Sequence, residues 1–214
     1  MTVEIPPAPE GAHRFFGGRL ARAEAFVAIL ADTGVSHGLI GPREVPILWE
    51  RHVLNCAVVE DAFAADSRLI DVGSGAGLPG IGVAIVRPDL DVHLVEPMLR
   101  RTEWLSSTVE QLGLGNVTVH RGRAEEFHGQ LSAPYVTARA VARLDKLARW
   151  CLPLVEHGGS MVAMKGRSAP EELTAATKVL RRLGVTHSQV STHGADVLSE
   201  PTLTVDCSKS SRSS

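Results

Sequence analysis

The residues best suited to chemistry sit in one turn, Leu69-Ile70-Asp71-Val72-Gly73-Ser74-Gly75-Ala76-Gly77-Leu78-Pro79-Gly80. An apolar run enters three alternate glycines, and Pro79 stands where the first turn of a helix tolerates proline. Glycines there let the backbone approach a ligand and take up positive φ, and the helix N-terminus beyond offers unpaired N–H groups to an acceptor. Two carboxylates accompany the turn: Asp71, two residues before the first glycine, and Glu96, which closes the next apolar run 25 residues later. An acid in the second position can accept both hydroxyls of a ribose. Adenosine is therefore the expected core of the ligand, and more than one cofactor carries it. Gly75-Ala76-Gly77-Leu78-Pro79-Gly80 fits the dinucleotide pattern Gly-x-Gly-x-x-Gly, although glycine-dense turns meet it easily and a pyrophosphate would be repelled by a carboxylate at position 71. The nicotinamide reading has a further weakness. The only tyrosine, Tyr135, is followed four residues on by Arg139, not by the lysine of a short-chain dehydrogenase.

These groups need elements that bring them together. The runs at 68–72, 91–95, 116–120, 135–138 and 159–164 read as strands. Helical patterns lie between them, among them 98–112 with Met98, Leu105, Val109 and Leu112 on one face. Such a β-α-β-α succession gives a parallel sheet covered on both sides. Strands near 185–191 and 202–205 have no clear helix between them and are expected as an antiparallel hairpin. Upstream, a helix is expected over 14–33 (Phe15, Leu20, Phe26, Ile29 and Leu30 at helical spacing), with Gly34 as its stop. A second, over 43–64, would bury Leu48, Trp49, Val53, Cys56, Val59 and Phe63. The chain thus divides into a helical extension packed on the core (1–65), an α/β domain (66–207) and a Ser-rich tail (208–214) expected to be disordered.

Composition excludes several classes. The longest uncharged stretch, 72–86, is too short to span a bilayer. No basic n-region with an apolar core opens the chain, so no secretory leader and a cytoplasmic location are expected. Cys56, Cys151 and Cys207 are odd in number and far apart, and the nine histidines form no His-x-x-x-His pair, so neither a disulfide framework nor a metal site is expected. A net charge of −2 argues against a general nucleic-acid binder, but the charge is uneven. Residues 1–99 carry 7 basic and 13 acidic side chains, whereas 100–182 carry 13 basic and 8 acidic. One positive face for a polyanion would follow.

The run Asp71-Val72-Gly73-Ser74-Gly75-Ala76-Gly77 resembles motif I of Rossmann-like methyltransferases, whose acid contacts the amino-acid end of S-adenosylmethionine directly or through water. Extended through Leu78-Pro79-Gly80-Ile81, it resembles the signature of the RsmG (GidB) methyltransferases, which modify N7 of a guanine in bacterial 16S ribosomal RNA. Four more segments agree in order and spacing: Leu48-Trp49-Glu50-Arg51-His52, Arg123-Ala124-Glu125-Glu126-Phe127, Ala138-Arg139-Ala140 and Met164-Lys165-Gly166. The resemblance implies a class I Rossmann-like α/β fold with a mostly parallel twisted sheet, an antiparallel C-terminal strand and an N-terminal helical extension. It also implies a monomeric enzyme acting on 16S ribosomal RNA within the small ribosomal subunit.

On the same ground the donor would meet Asp71, Gly73, Gly75, Gly77 and Leu78, with Glu96 on the ribose, Ala124 and Glu125 on the adenine, and Arg139 reaching donor or RNA. Guanine N7 already holds an in-plane lone pair and no proton, so catalysis would be alignment rather than base catalysis. Accordingly, Thr137-Ala138-Arg139-Ala140 stands where amino methyltransferases have Asn/Asp-Pro-Pro-Tyr/Phe. Arginine commonly reads guanine through O6 and N7, but a guanidinium at N7 would oppose methylation. Arg123, Arg139 and Lys165 are therefore expected at O6, phosphates or the donor carboxylate. Arg100, Arg101, Arg121, Arg143 and Arg149 would join Arg123 on the RNA-binding face. Two segments depart from the family pattern: Gly38-Leu39-Ile40-Gly41-Pro42 replaces an Asn-Leu-Thr element, and Glu200-Pro201-Thr202 stands where an arginine commonly precedes the last strand. Rival readings are a methyltransferase of this fold acting on a small molecule or protein, and a catalytically silent RNA-binding assembly factor.

Overall fold

A computed structural model describes residues 5–211 of the chain. Seven strands form one sheet: β1 (Arg68–Val72), β2 (Asp91–Glu96), β3 (Val117–Arg121), β4 (Ala133–Arg139), β5 (Val155–Lys165), β6 (Val185–His193) and β7 (Thr202–Lys209). Their order is β3-β2-β1-β4-β5-β7-β6. The first five strands run parallel, and β7 lies antiparallel between β5 and β6. The expected C-terminal hairpin is present. β7 continues through Ser208 and Lys209, beyond the expected start of the tail, because Ser208 pairs with Ser160 and Lys209 with Val185. Residues 212–214 of that tail lie outside the described residues.

Helices cover both faces. On one side α4 (Gly80–Val86) and α5 (Leu99–Gln111) share a core with the N-terminal segment, and on the other α6 (Leu144–Cys151) packs over β5 and α7 (Ala169–Arg182) over β6 and β7. Of the face expected on α5, Leu105 and Leu112 are buried, but Met98 is 52% exposed at the helix start. Trp104 fills the inward position instead, its indole N–H donating to Thr33 Oγ1.

The extension departs from two continuous helices. Gly17, with φ +51, breaks the first into α1 (Glu10–Phe16) and α2 (Leu20–Ile29). Gly34 does not stop the helix; a wide turn over Leu30–Gly34 carries it on, and Gly38 (φ +68) ends it. The left-handed conformation that closes a helix is needed at position 38, not 34. From Pro42 to Ala62 the chain passes through a 3-10 turn, a wide turn over Leu48–Val53, α3 (Leu54–Ala57) and a second 3-10 turn. Pro46 lies inside the first of these, where it cannot supply the N–H of a regular helix. The six residues expected to face inward from this segment are all buried. Arg87 locks it to the sheet domain by donating to the Glu60 and Phe63 carbonyls and to the Glu60 and Asp89 carboxylates.

Candidate active site

The strand order reverses between β1 and β4, which opens a crevice at their C-terminal ends, the position where such sheets bind ligands. The glycine-rich turn leaves β1 there. Gly73 has φ +72, and a Cβ added to it would lie 2.8 Å from Val141 Cγ2, so only glycine allows the loop after β4 to close over the turn. Gly80 is needed for a different reason: its Cβ would meet Leu94 Cδ2 at 2.3 Å and Asp71 Oδ2 at 2.8 Å.

Both expected carboxylates are buried and brace this turn. Asp71 Oδ2 accepts the Gly80 N–H at 3.0 Å, while Oδ1 has no hydrogen-bond partner. Burial pushes the Asp71 carboxyl up to about 7, opposed by the Gly80 N–H hydrogen bond and, more weakly, by the Arg139 charge. Glu96, 2% exposed, accepts Gly75 N–H at 3.0 Å through Oε2 and Met98 N–H at 3.1 Å through Oε1. It thereby joins the turn after β1 to the turn after β2, and each oxygen keeps a further lone pair for a ligand hydroxyl.

Beside this turn lies a cavity of about 190 Å³ lined by Val72, Gly73, Val95, Pro97, Gly122, Arg123, Ala124, Glu125, Val141 and Trp150. Apolar walls, with Glu125 and Arg123 at the exposed rim, suit a flat heteroaromatic ring. Of the expected donor residues, Gly73, Ala124 and Glu125 line this cavity. Leu78 does not; it is 6% exposed and packs into the core. Gly77 faces Ile81, and Asp71, Gly75 and Glu96 act from beneath, on the turn itself.

A larger cleft of about 980 Å³ adjoins it between the N-terminal segment, the C-terminal ends of β4 and β5, and the start of β7. Val141 lines both spaces. Arg139 lines the cleft but docks on the N-terminal segment: Nη1 donates to the Arg51 carbonyl at 3.2 Å and to Cys56 Sγ at 3.1 Å, and Nη2 donates to His52 Nδ1 at 2.6 Å. Burial raises the Cys56 thiol to about 11 despite that guanidinium, so it stays protonated. Lys165, expected to meet RNA or donor, has its ammonium on the Ala142 carbonyl (2.7 Å) and on Glu172 Oε2 (2.8 Å). The same Glu172 oxygen accepts the Leu144 N–H at 2.9 Å. This pair pins the loop carrying Val141, and burial draws the lysine out of reach of bulk solvent, its side chain being 9% exposed.

The six arginines expected on one RNA face are dispersed. Arg143 lines the large cleft and Arg123 the small cavity. Arg100 and Arg101 stand on α5, one donating to the His37 carbonyl and the other 3.8 Å from Glu96. Arg121 ends β3 and Arg149 lies in the last turn of α6. Instead, the cleft gathers Arg51, Arg139, Arg143 and Arg167, with acids among them; Glu200 sits 2.7 Å from Arg167. His52, Val141, Trp150 and Glu172 were not among the expected site residues. Only His52 had a signal, its place beside Arg51 on the second helical segment. Among the described residues no cluster of three or more His, Cys, Asp or Glu could hold a metal, and no helix is long and apolar enough to cross a membrane.

Residues 19–200 match the family model GidB, described as rRNA small subunit methyltransferase G. The chain is 53% identical over 204 residues to ribosomal RNA small subunit methyltransferase G of Paenarthrobacter aurescens (strain TC1), covering 95% of this chain and 94% of the relative. It is 54% identical over 199 residues to the protein of that name from Streptomyces coelicolor, covering 92% and 83%. Among solved structures, M. jannaschii TYW2 in complex with AdoMet matches with a TM-score of 0.56 at 14% identity, covering 73% of each chain. Aeropyrum pernix fibrillarin with bound S-adenosyl-L-methionine matches with a TM-score of 0.53 at 17% identity, covering 74% and 75%. At these identities the structural matches establish the fold, that of the Rossmann-like methyltransferases.

Proposed function

The chain belongs to the GidB family, rRNA small subunit methyltransferase G, and from that membership we infer that it methylates small-subunit 16S ribosomal RNA using S-adenosylmethionine. The residues present fit that donor. A buried carboxyl oxygen of Asp71 lacks a partner, Glu96 has lone pairs beside the turn, and Gly73 lines the small apolar-walled cavity. Bound S-adenosylmethionine supplies a methyl group activated on a sulfonium. Asp71, Gly73, Gly75 and Gly77 shape the seat for its amino-acid end, Glu96 takes the ribose hydroxyls, and Ala124 and Glu125 flank the adenine.

The observation that carries this reading is Val141, shared by the small cavity and the large cleft, so that ligands in the two meet at one wall. The acceptor is N7 of a guanine. Its lone pair needs no base; Cys56 is held protonated, and the cleft's His52, Glu44, Glu50, Glu172 and Glu200 are each engaged with a protein partner. Arg139 and Arg143 face O6 or phosphate oxygens, Arg123 stands at the adenine rim, and Lys165 works by holding the Val141 loop. The enzyme acts as a monomer in the cytoplasm, on the assembled small subunit rather than free RNA. Its cleft interleaves acids with arginines, so folded RNA must supply shape as well as charge.

The test is incubation with labelled S-adenosylmethionine and small subunits lacking the modification, followed by nucleoside analysis. Label in 7-methylguanosine is expected. Donor binding without labelled RNA would sink the reading in favour of a silent assembly factor, and label on protein or small molecules would favour another acceptor.

A further inference from the structure

One of the ties holding Arg139 has a defined polarity. A guanidinium can only donate, so His52 Nδ1, 2.6 Å from Arg139 Nη2, carries a lone pair. The ring proton then sits on Nε2, which donates to Glu44 Oε2 at 2.8 Å. Glu44, His52 and Arg139 form a one-directional chain that links the 3-10 turn Pro42–Ile47, the wide turn Leu48–Val53 and the end of β4. His52 is 8% exposed, so water does not readily replace either partner. Arg139 Nη1 is occupied by the Arg51 carbonyl and Cys56. The bond to His52 completes the contacts that orient the planar guanidinium at the cleft wall, and is the only one of them made by a titratable ring.

We propose that His52 is a positioning residue for the methylation reaction, its neutral ring holding Arg139 in the orientation that meets the RNA acceptor. This rests on the cleft being the RNA site. The charged groups facing the ring are Arg139 from β4, and Glu44 and Arg51 from the N-terminal segment. Protonation would put an N–H on Nδ1, against the guanidinium, and replace a hydrogen bond by a like-charge contact. Burial and Arg139 together depress the basicity of His52, and Glu44 opposes them only in part. Arg139 is thus held at neutral pH and released on the acid side.

Turnover of unmodified small subunits is measured between about pH 5.5 and 8.5 for the full-length wild type, His52→Ala, His52→Gln, Arg139→Ala and the double variant His52→Ala/Arg139→Ala. Loss of a hydrogen bond to a charged group corresponds to roughly ten- to hundredfold in kcat/KM for His52→Ala. Binding of S-adenosylmethionine, measured separately, stays within about twofold, and His52→Ala adds nothing to Arg139→Ala. His52→Gln can accept from Arg139 and donate to Glu44 without titrating, so it restores most activity at neutral pH and lacks the wild type's acid-side fall. Additive losses in the double variant, or an unchanged acid limb in His52→Gln, would overturn the proposal. Should the wild type label no RNA, the ribosomal reading fails, and 15N NMR of the ring decides the positioning role alone. An unprotonated Nδ1 whose signal moves in Arg139→Ala supports it; a protonated Nδ1 at neutral pH refutes it.

Discussion

Replacing Asp71 by Asn isolates what a buried carboxyl costs the donor-free fold. In the unfolded chain this group titrates at 3.8, whereas in the folded protein burial raises it to about 7. Below about pH 4 it is protonated in both states and contributes no pH dependence. Between about pH 4 and 7 the unfolded chain releases the proton that the folded chain retains, so stability falls as pH rises, by about 1.4 kcal/mol per pH unit at most. Above the folded value both states are ionised and the accumulated loss levels off near about 4 kcal/mol. Asn keeps an oxygen for the Gly80 N–H, the one hydrogen bond that Oδ2 makes, and does not titrate. The stability of Asp71→Asn relative to wild type should therefore climb by about 3 kcal/mol between pH 5 and 8. Urea unfolding of both proteins without donor, at a series of pH values, measures this difference directly and cancels the other titrating groups. A difference that stays flat within about 0.5 kcal/mol, or that falls with pH, would refute the argument that burial dominates at Asp71.

Three further outcomes are expected. Gly80→Ala forces a methyl against Leu94 and the Asp71 carboxyl, and should cost about 1–3 kcal/mol of stability in a denaturant titration and weaken S-adenosylmethionine binding. Lys165→Met leaves Glu172 without its cation and frees the Ala142 carbonyl. A loss of about 3 kcal/mol in thermal or urea unfolding is expected, and a fully stable but inactive variant would show that Lys165 meets the substrate. Glu200→Gln removes an acid from beside Arg167 and should tighten small-subunit binding about threefold at low salt, an advantage that fades as salt rises.

The sequence by itself carried the order of elements, because strand and helix periodicities are local and each run from Arg68 to Lys165 fell close to its observed element. It also carried the make-up of the glycine-rich turn: three glycines, Asp71 and Glu96 are close in the chain or end adjacent strands, so their proximity follows from βαβ geometry. The irregular path from Pro42 to Ala62 was not legible, since its buried faces read as one amphipathic helix while Pro46 and packing against α4 impose turns of differing width. Nor could the sequence show that Lys165 pairs with Glu172, or that Leu78 packs into the core. Such distinctions depend on what lies opposite each side chain. Glu172 reaches Lys165 from α7, and His52 reaches Arg139 across 87 residues of chain. Hydrogen-bond partners of that kind are set by how the extension and the loop after β4 pack over the sheet. Only the tertiary structure brings them within the roughly 3 Å at which a donor finds its acceptor.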